Sequence, residues 1–272
     1  MSSEQKYYEN PDLWTPERYG AADRERIATL AEKLPPDVTT LLDVGCGNGL
    51  FLKHLCGLEK RHFKRLCGTD RSEAALAGVQ SEKVVASIDA LPFADGEFDA
   101  VSSLEVIEHL PQATYLCAIG ELSRIARRYI LVSVPFDEHL WLSLIECSQC
   151  RCRFNPNYHL RTFDHSMMRH LFDSNGFICR EVFCIHPTKA VPTWVESLLR
   201  LLGVVKRAML RKPRSPMPRH TVCPACGYFP PAGGEESSRL ATQSPRTIGM
   251  MIRRLLSVRS SWQWIAALYE RV

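Results

Sequence analysis

From residue 38 to residue 134, short apolar runs bounded by turn-forming residues alternate with stretches whose apolar positions recur every three to four residues. The pattern predicts strands near Thr40–Val44, Arg65–Thr69, Lys83–Ala86, Phe98–Ser102 and Tyr129–Val134, joined by helices. Strands that alternate with helices build a parallel sheet with crossover helices on its faces. Upstream, Asp23–Leu34 has the spacing of an amphipathic helix and is stopped by Pro35 and Pro36, so residues 1–37 are expected to form a helical cover. Beyond Val134 the period lapses. Residues 135–165 are rich in Cys, Asn, Pro and His and are expected to be an insertion or a long functional loop. A helix over Ser166–Ser174, stopped by Asn175-Gly176, and a strand over Phe177–Ile185 resume the core at 166–186. Trp262–Val272 reads as a closing strand within 259–272.

Residues 187–258 are a second excursion from the core. In it Val191, Trp194, Val195, Leu198, Leu202, Val205 and Met209 line one face of a predicted helix. That helix runs into a basic cluster of Lys206, Arg207, Arg211, Lys212 and Arg214. The face either packs on its own domain or a second subunit, or it rests peripherally on an anionic membrane through residues 191–214.

The 272 residues are enough for one sizeable core with an insertion. A net charge of +4 is too small for a global field that would attract nucleic acid, and the basic excess is confined to the cluster above and to Arg253, Arg254 and Arg259. The first residues, Met-Ser-Ser-Glu-Gln-Lys-Tyr-Tyr, have neither the apolar run nor the cleavage site of a secretory signal. A cytoplasmic location is therefore expected, and with it reduced thiols for the eleven cysteines.

The strongest local signal is Leu41-Leu42-Asp43-Val44-Gly45-Cys46-Gly47-Asn48-Gly49, an apolar strand running into three alternate glycines before a helix. Glycines are needed where backbone turns sharply against a ligand. A dinucleotide fingerprint would place a glycine at position 50, where this chain has Leu50, and would aim helix amides at a pyrophosphate. A nucleoside ligand without phosphate removes that requirement. The next strand ends in Gly68-Thr69-Asp70-Arg71, placing the Asp70 carboxylate where it can accept from both ribose hydroxyls. Asp89-Ala90-Leu91-Pro92-Phe93 then offers a carboxylate for an adenine amino group beside apolar residues.

In order, L-D-V-G-C-G-N-G, G-T-D, D-A-L-P-F-A-D-G-E-F-D and L-E-V-I-E-H-L resemble the class I S-adenosylmethionine (SAM)-dependent methyltransferase superfamily, above all its small-molecule branch related to quinone methylases. The resemblance is close over residues 38–134 and holds only in outline elsewhere. It implies an α/β Rossmann-like fold, a seven-stranded mostly parallel sheet with helices on both faces, here carrying a Cys-rich insertion. It also implies that Asp43, Gly45, Cys46, Gly47, Asn48 and Gly49 line the methionine part of SAM, that Asp70 and Arg71 lie at the ribose, that Asp89 and Ala90 flank the adenine, and that Leu104 and Glu105 lie beside the cofactor.

For the transfer itself the protein has to align acceptor, methyl carbon and sulfur and to exclude water; a general base is optional. His109 is the nearest candidate, or else a structural histidine. His139 and His159, in the insertion, are either bases or metal ligands. Cys147-Ser-Gln-Cys150 and Cys223-Pro-Ala-Cys226 have the spacing by which two thiolates bind one tetrahedral zinc. One structural zinc joining both excursions over the acceptor pocket is expected, with Cys152 or His159 as alternative ligands; free thiols or redox pairs are the competing reading. Cys46, Cys56, Cys67, Cys117, Cys179 and Cys184 read as small apolar fillers.

His159-Leu-Arg161-Thr-Phe163 and the terminal Trp-Ile-Ala-Ala-Leu-Tyr are loosely similar to bacterial methyltransferases of glycans or lipid-linked intermediates, which favours a small-molecule, sugar or lipid-linked acceptor over a protein or nucleic acid. Two other classes stay open: an RNA or protein methyltransferase that docks through the cysteines, and a non-catalytic Rossmann-like zinc protein.

Overall fold

The computed structural model describes residues 7–190, 217, 221–230 and 259–272. The predicted amphipathic helix at 191–209, its basic cluster, Arg253 and Arg254 lie outside them. Nine strands are described: β1 (Thr40–Val44), β2 (Arg65–Asp70), β3 (Glu82–Val85), β4 (Phe98–Leu104), β5 (Ala126–Pro135), β6 (Ile145–Glu146), β7 (Arg153–Phe154), β8 (Phe177–Ala190) and β9 (Arg259–Arg271). Their α-helices are α1 (Ala21–Lys33), α2 (Leu50–Cys56), α3 (Glu73–Leu76), α4 (Gln112–Ile125) and α5 (His165–His170).

Seven strands form one sheet in the order β3-β2-β1-β4-β5-β9-β8. β1 to β5 pair in parallel, while β9 runs antiparallel between β5 and β8. The order reverses between β1 and β4, so the carboxyl ends of these two strands open a crevice where their crossovers leave in opposite directions. Four of the five β1 residues are buried, which accounts for its continuous apolar run.

Alternate residues of each strand feed the two faces. Leu42, Val101, Ile130 and Tyr269 pack under α4 and the Met168–Phe172 segment. Leu41, Ala100, Leu131 and Leu268 pack under α1 and α2. No helix among the described residues is long and apolar enough to cross a membrane.

Two expectations need correction. The helix over Ser166–Ser174 stops at His170, and a 3-10 turn covers Asp173–Asn175. Phe172 leaves helical geometry (φ −119°, ψ 11°) because its fully buried ring is wedged between Phe177 and Tyr269, at centroid distances of 6.3 and 4.8 Å. Among the cysteines read as core fillers, Cys67 is buried but Cys56 and Cys117 are exposed. Cys56 is the last residue of α2, and Cys117 falls on the outer face of α4, whose buried side is carried by Ala118, Ile119, Leu122 and Ile125.

Candidate active site

One cleft lies over the carboxyl ends of β1, β2 and β4. Asp43, Gly45, Cys46, Gly47, Asn48, Asp70, Arg71, Asp89, Leu104, Glu105 and His109 line it. Gly49 and Ala90 do not. Gly49 instead supplies the left-handed N-cap of α2 (φ 77°), and a Cβ there would press on Val79 at 3.0 Å. Ala90 is exposed.

The glycine turn follows from steric need. Gly45 (φ 74°) leaves no room for a Cβ, which would fall 2.4 Å from Val106 Cγ2; at Gly47 (φ 55°) it would fall 2.7 Å from the Trp14 ring. Asp70 fixes the turn by accepting from the Gly47 and Ser72 amides at 3.0 and 2.9 Å, and burial pushes its carboxyl upward. Asp43 is wholly buried, accepts from Ser102 Oγ at 2.7 Å and is pushed up to about 7 by burial.

The N-terminal segment roofs the cleft. Tyr8, Trp14, Tyr19 and Arg26 all line it, and Tyr8 O accepts from Trp14 Nε1 and Ser72 Oγ at 2.8 and 2.9 Å. The periodicity of the N-terminal segment marks a helix but none of these residues. Their signal was an unusual density of aromatics in a polar segment interrupted by prolines.

Arg26 is the most informative of them. It is 7% exposed, lies 3.3 Å from Glu105 Oε1 and sits over the Trp264 ring at 4.9 Å. Among the described residues its Nε and Nη1 make no hydrogen bond. Glu105 turns through left-handed backbone (φ 61°) and accepts from Trp264 Nε1 at 2.8 Å, so β9 holds its carboxylate in place. A cleft with two glycines stripped of Cβ, a carboxylate at Asp70 and a buried guanidinium that is ion-paired to Glu105 but keeps its Nε without a hydrogen bond among the described residues fits a zwitterionic nucleoside such as SAM, whose carboxylate would accept from Arg26.

The three candidate histidines are placed differently. His109 lines the cleft, burial pushes it down to about 3, and its Nδ1 lies 3.4 Å from Tyr8 Oη. His159 stands against it, with ring centroids 4.8 Å apart, and shares its Nδ1 with Glu138. His139 is exposed and outside the cleft. The Phe136–Phe163 bridge and the left-handed turn at Asp137 (φ 45°) lead that stretch of chain away.

Beside the roof, Cys147, Cys150, Cys223 and Cys226 bring their sulfurs within 4.8 Å of one another, with Cys147–Cys226 at 3.7 Å and Cys150–Cys223 at 3.5 Å. The two knuckles share one backbone frame. Cys147 N donates to Cys152 O and Cys223 N to Tyr228 O, at 2.8 and 2.9 Å; Arg151 N donates to Cys147 O and Gly227 N to Cys223 O, at 3.1 and 2.9 Å. The residue after each second cysteine is left-handed: Arg151 at φ 67° and Gly227 at φ 70°. Cys152 Sγ faces its own neighbour's carbonyl, and His159 belongs to the His109 group. Tyr158 Oη ties the module together, donating to Val222 O at 2.6 Å and accepting from Val222 N at 2.8 Å. Tyr7 packs on the same cluster, its ring 4.8 Å from that of Tyr158, so module and roof are continuous.

Comparisons with known proteins agree with this fold. A family described as a methyltransferase domain matches residues 17–182, more than half of the chain. The chain belongs to that methyltransferase-domain family. A ubiquinone biosynthesis O-methyltransferase of Xanthomonas axonopodis pv. citri is 32% identical over 95 residues, which cover 33% of this chain and 40% of the relative. Among solved structures, a SAM-dependent methyltransferase from Archaeoglobus fulgidus superposes with a TM-score of 0.50 at 17% identity, covering 98% and 97% of the two chains. A complex between the Haloferax volcanii Trm112 methyltransferase activator and a proposed methyltransferase matches with a TM-score of 0.54 at 17% identity, covering 96% and 95%. The [4+2]-cyclase SpnF matches with a TM-score of 0.52 at 13% identity, covering 92% and 81%; at such distance the likeness shows the fold alone.

Proposed function

We propose that the chain transfers the methyl group of SAM to a small-molecule, sugar or lipid-linked acceptor, with a structural zinc in the cysteine module beside the acceptor side of the cleft. The observation that carries this reading is the convergence on one crevice of the Gly45–Gly47 turn, Asp70, Asp89 and the buried Arg26. In it, Gly45 and Gly47 admit the methionine part, Arg26 pairs with its carboxylate, Asp70 holds the ribose hydroxyls, and Asp89 with Ile88 meets the adenine. SAM supplies an electrophilic methyl: an acceptor lone pair bonds to its carbon, the carbon–sulfur pair stays on sulfur, and the acceptor's proton leaves to solvent. The chain's own work is orientation and exclusion of water, done by the aromatic roof of Tyr8 and Trp14 and by Glu105 beneath it. The partial match to an O-methyltransferase favours an oxygen acceptor.

For the cysteine module, zinc–sulfur bonds of about 2.3 Å in a tetrahedron separate the sulfurs by roughly 3.8 Å, close to the spacings here. The shared backbone frame of the knuckles supports the same reading over a redox pair, because it presents both thiols of each knuckle to one point.

Isothermal titration with S-adenosylhomocysteine tests the cofactor assignment. Saturable binding is expected, weakened at least about tenfold by Asp70→Ala, the loss of roughly 1.4 kcal/mol or more that two charge-assisted hydrogen bonds supply. Unchanged binding in that variant would remove the ribose assignment.

A further inference from the structure

Glu108 is a buried acid without a hydrogen-bond partner among the described residues. Its side chain is 1% exposed, and neither carboxylate oxygen makes a hydrogen bond; the closest cationic candidate is His109 Nε2, 3.8 Å from Oε1. Arg161, the guanidinium that faces it, is committed elsewhere: Nη1 donates to Ile107 O at 2.7 Å, Nη2 to Gln112 Oε1 at 3.3 Å, and the group stacks on Tyr115 at 3.9 Å. Arg26, the other basic group in reach of these acids, is held by Glu105. A carboxylate buried this way costs several kcal/mol unless a cation or a proton repays it.

Two chain segments meet at this acid. A ligand atom of Glu108, one of His109 and one of His159 all lie within 4.8 Å of one another. His159 is oriented by Glu138 at Nδ1, the arrangement by which a carboxylate aims the opposite ring nitrogen of an imidazole at a metal. Glu105 is no part of this group, since Trp264 and Arg26 occupy its oxygens. His109 opens onto the same cleft as Gly45 and Asp70.

We propose that Glu108, His109 and His159 bind a divalent cation at the acceptor end of the cofactor cleft, and that the acceptor is a compound carrying two adjacent oxygens that chelate this ion. Two imidazoles and one carboxylate are a set suited to Mn2+, Fe2+, Co2+ or Zn2+, and they leave coordination positions open. An ion there neutralises Glu108 and fixes the acceptor's orientation relative to the methyl donor. It also favours the deprotonated form of a bound hydroxyl, whose proton passes to solvent. This gives His109 the part of a metal ligand in place of a general base. The inference rests on the methyltransferase reading for the identity of the acceptor, and on the three side chains alone for the ion.

The test uses the full chain and Mn2+, an ion that prefers oxygen and nitrogen donors and so passes over the four cysteines. Loss of the free Mn2+ electron paramagnetic resonance signal should report about one tight equivalent per chain, weakened at least about tenfold in Glu108→Gln and in His159→Ala. S-adenosylhomocysteine affinity in both variants should stay within about twofold of the parent, which shows that they are folded. Catechol should then perturb the bound-Mn2+ spectrum at concentrations where phenol does not. Absent Mn2+ binding with intact S-adenosylhomocysteine binding overturns the metal site and leaves the methyltransferase reading standing. Absent S-adenosylhomocysteine binding with intact Mn2+ binding does the reverse, and equal response to catechol and phenol overturns the paired-oxygen acceptor.

Discussion

At the scale of single residues, the cleft is defined by groups that pay for their placement in backbone strain or in charge burial. Gly45 combines a left-handed φ of 74° with a Cβ position 2.4 Å from Val106. Gly45→Ala is expected to weaken S-adenosylhomocysteine binding more than about tenfold, given the roughly 1–2 kcal/mol of left-handed strain and the clash on top of it. Adding Val106→Ala should recover only the part due to the clash, as calorimetry on both variants would show. Asp43 carries the charge-burial case. Because burial lifts its carboxyl to about 7, the folded chain keeps a proton that the unfolded chain has released, so this group lowers stability as pH rises from about 4 to 7. His109, pushed down to about 3, acts with the opposite sign over an overlapping window, its contribution rising with pH. Comparing urea midpoints of the parent and Asp43→Asn at pH 5 and pH 8 isolates the first effect: the variant's advantage should grow with pH, by a few kcal/mol at most. A gap that is constant across that range would show Asp43 to be ionised throughout.

At the scale of elements, the connection from α5 to β8 shows how packing overrides local pattern. Residues 166–174 have helical spacing and a Gly stop, and both signals are real, for Gly176 does take a left-handed φ of 76°. The helix nonetheless ends early, because burying the Phe172 ring against Phe177 and Tyr269 outweighs the few hydrogen bonds of one more turn. Phe172→Ala should cost about 3–5 kcal/mol in denaturant unfolding, the usual range for a buried aromatic. A loss under about 1 kcal/mol would show that the ring is not the wedge. The strands behaved differently. Every strand predicted from the apolar runs falls on an observed one, with ends shifted by a few residues; β1, β4 and β5 were legible because strands buried on both faces leave short continuous apolar runs.

At the scale of the whole molecule, the cysteine module joins segments far apart in the chain, and Tyr7 and Tyr158 connect it to the roof of the cleft. Metal analysis of the purified chain should find about one zinc in this module by the four-ligand rule. Its removal by a chelator should raise hydrogen exchange at 145–154 and 221–230 while β1, β4 and β5 stay protected. Metal-free protein with unchanged exchange would refute the structural zinc.

Local order along the chain carried the sheet, the glycine turn, the strand-end carboxylates and the spacing of the cysteine pairs, because each depends on residues within a few positions of one another. The roof residues Tyr8, Trp14 and Arg26, the exposed position of His139 and the meeting of Glu108, His109 and His159 were decided only in three dimensions. Those pairings span tens of residues, and whether a side chain is buried, satisfied or aimed into a cleft depends on which distant segment folds back onto it. That is a property of the tertiary structure, and no periodicity records it.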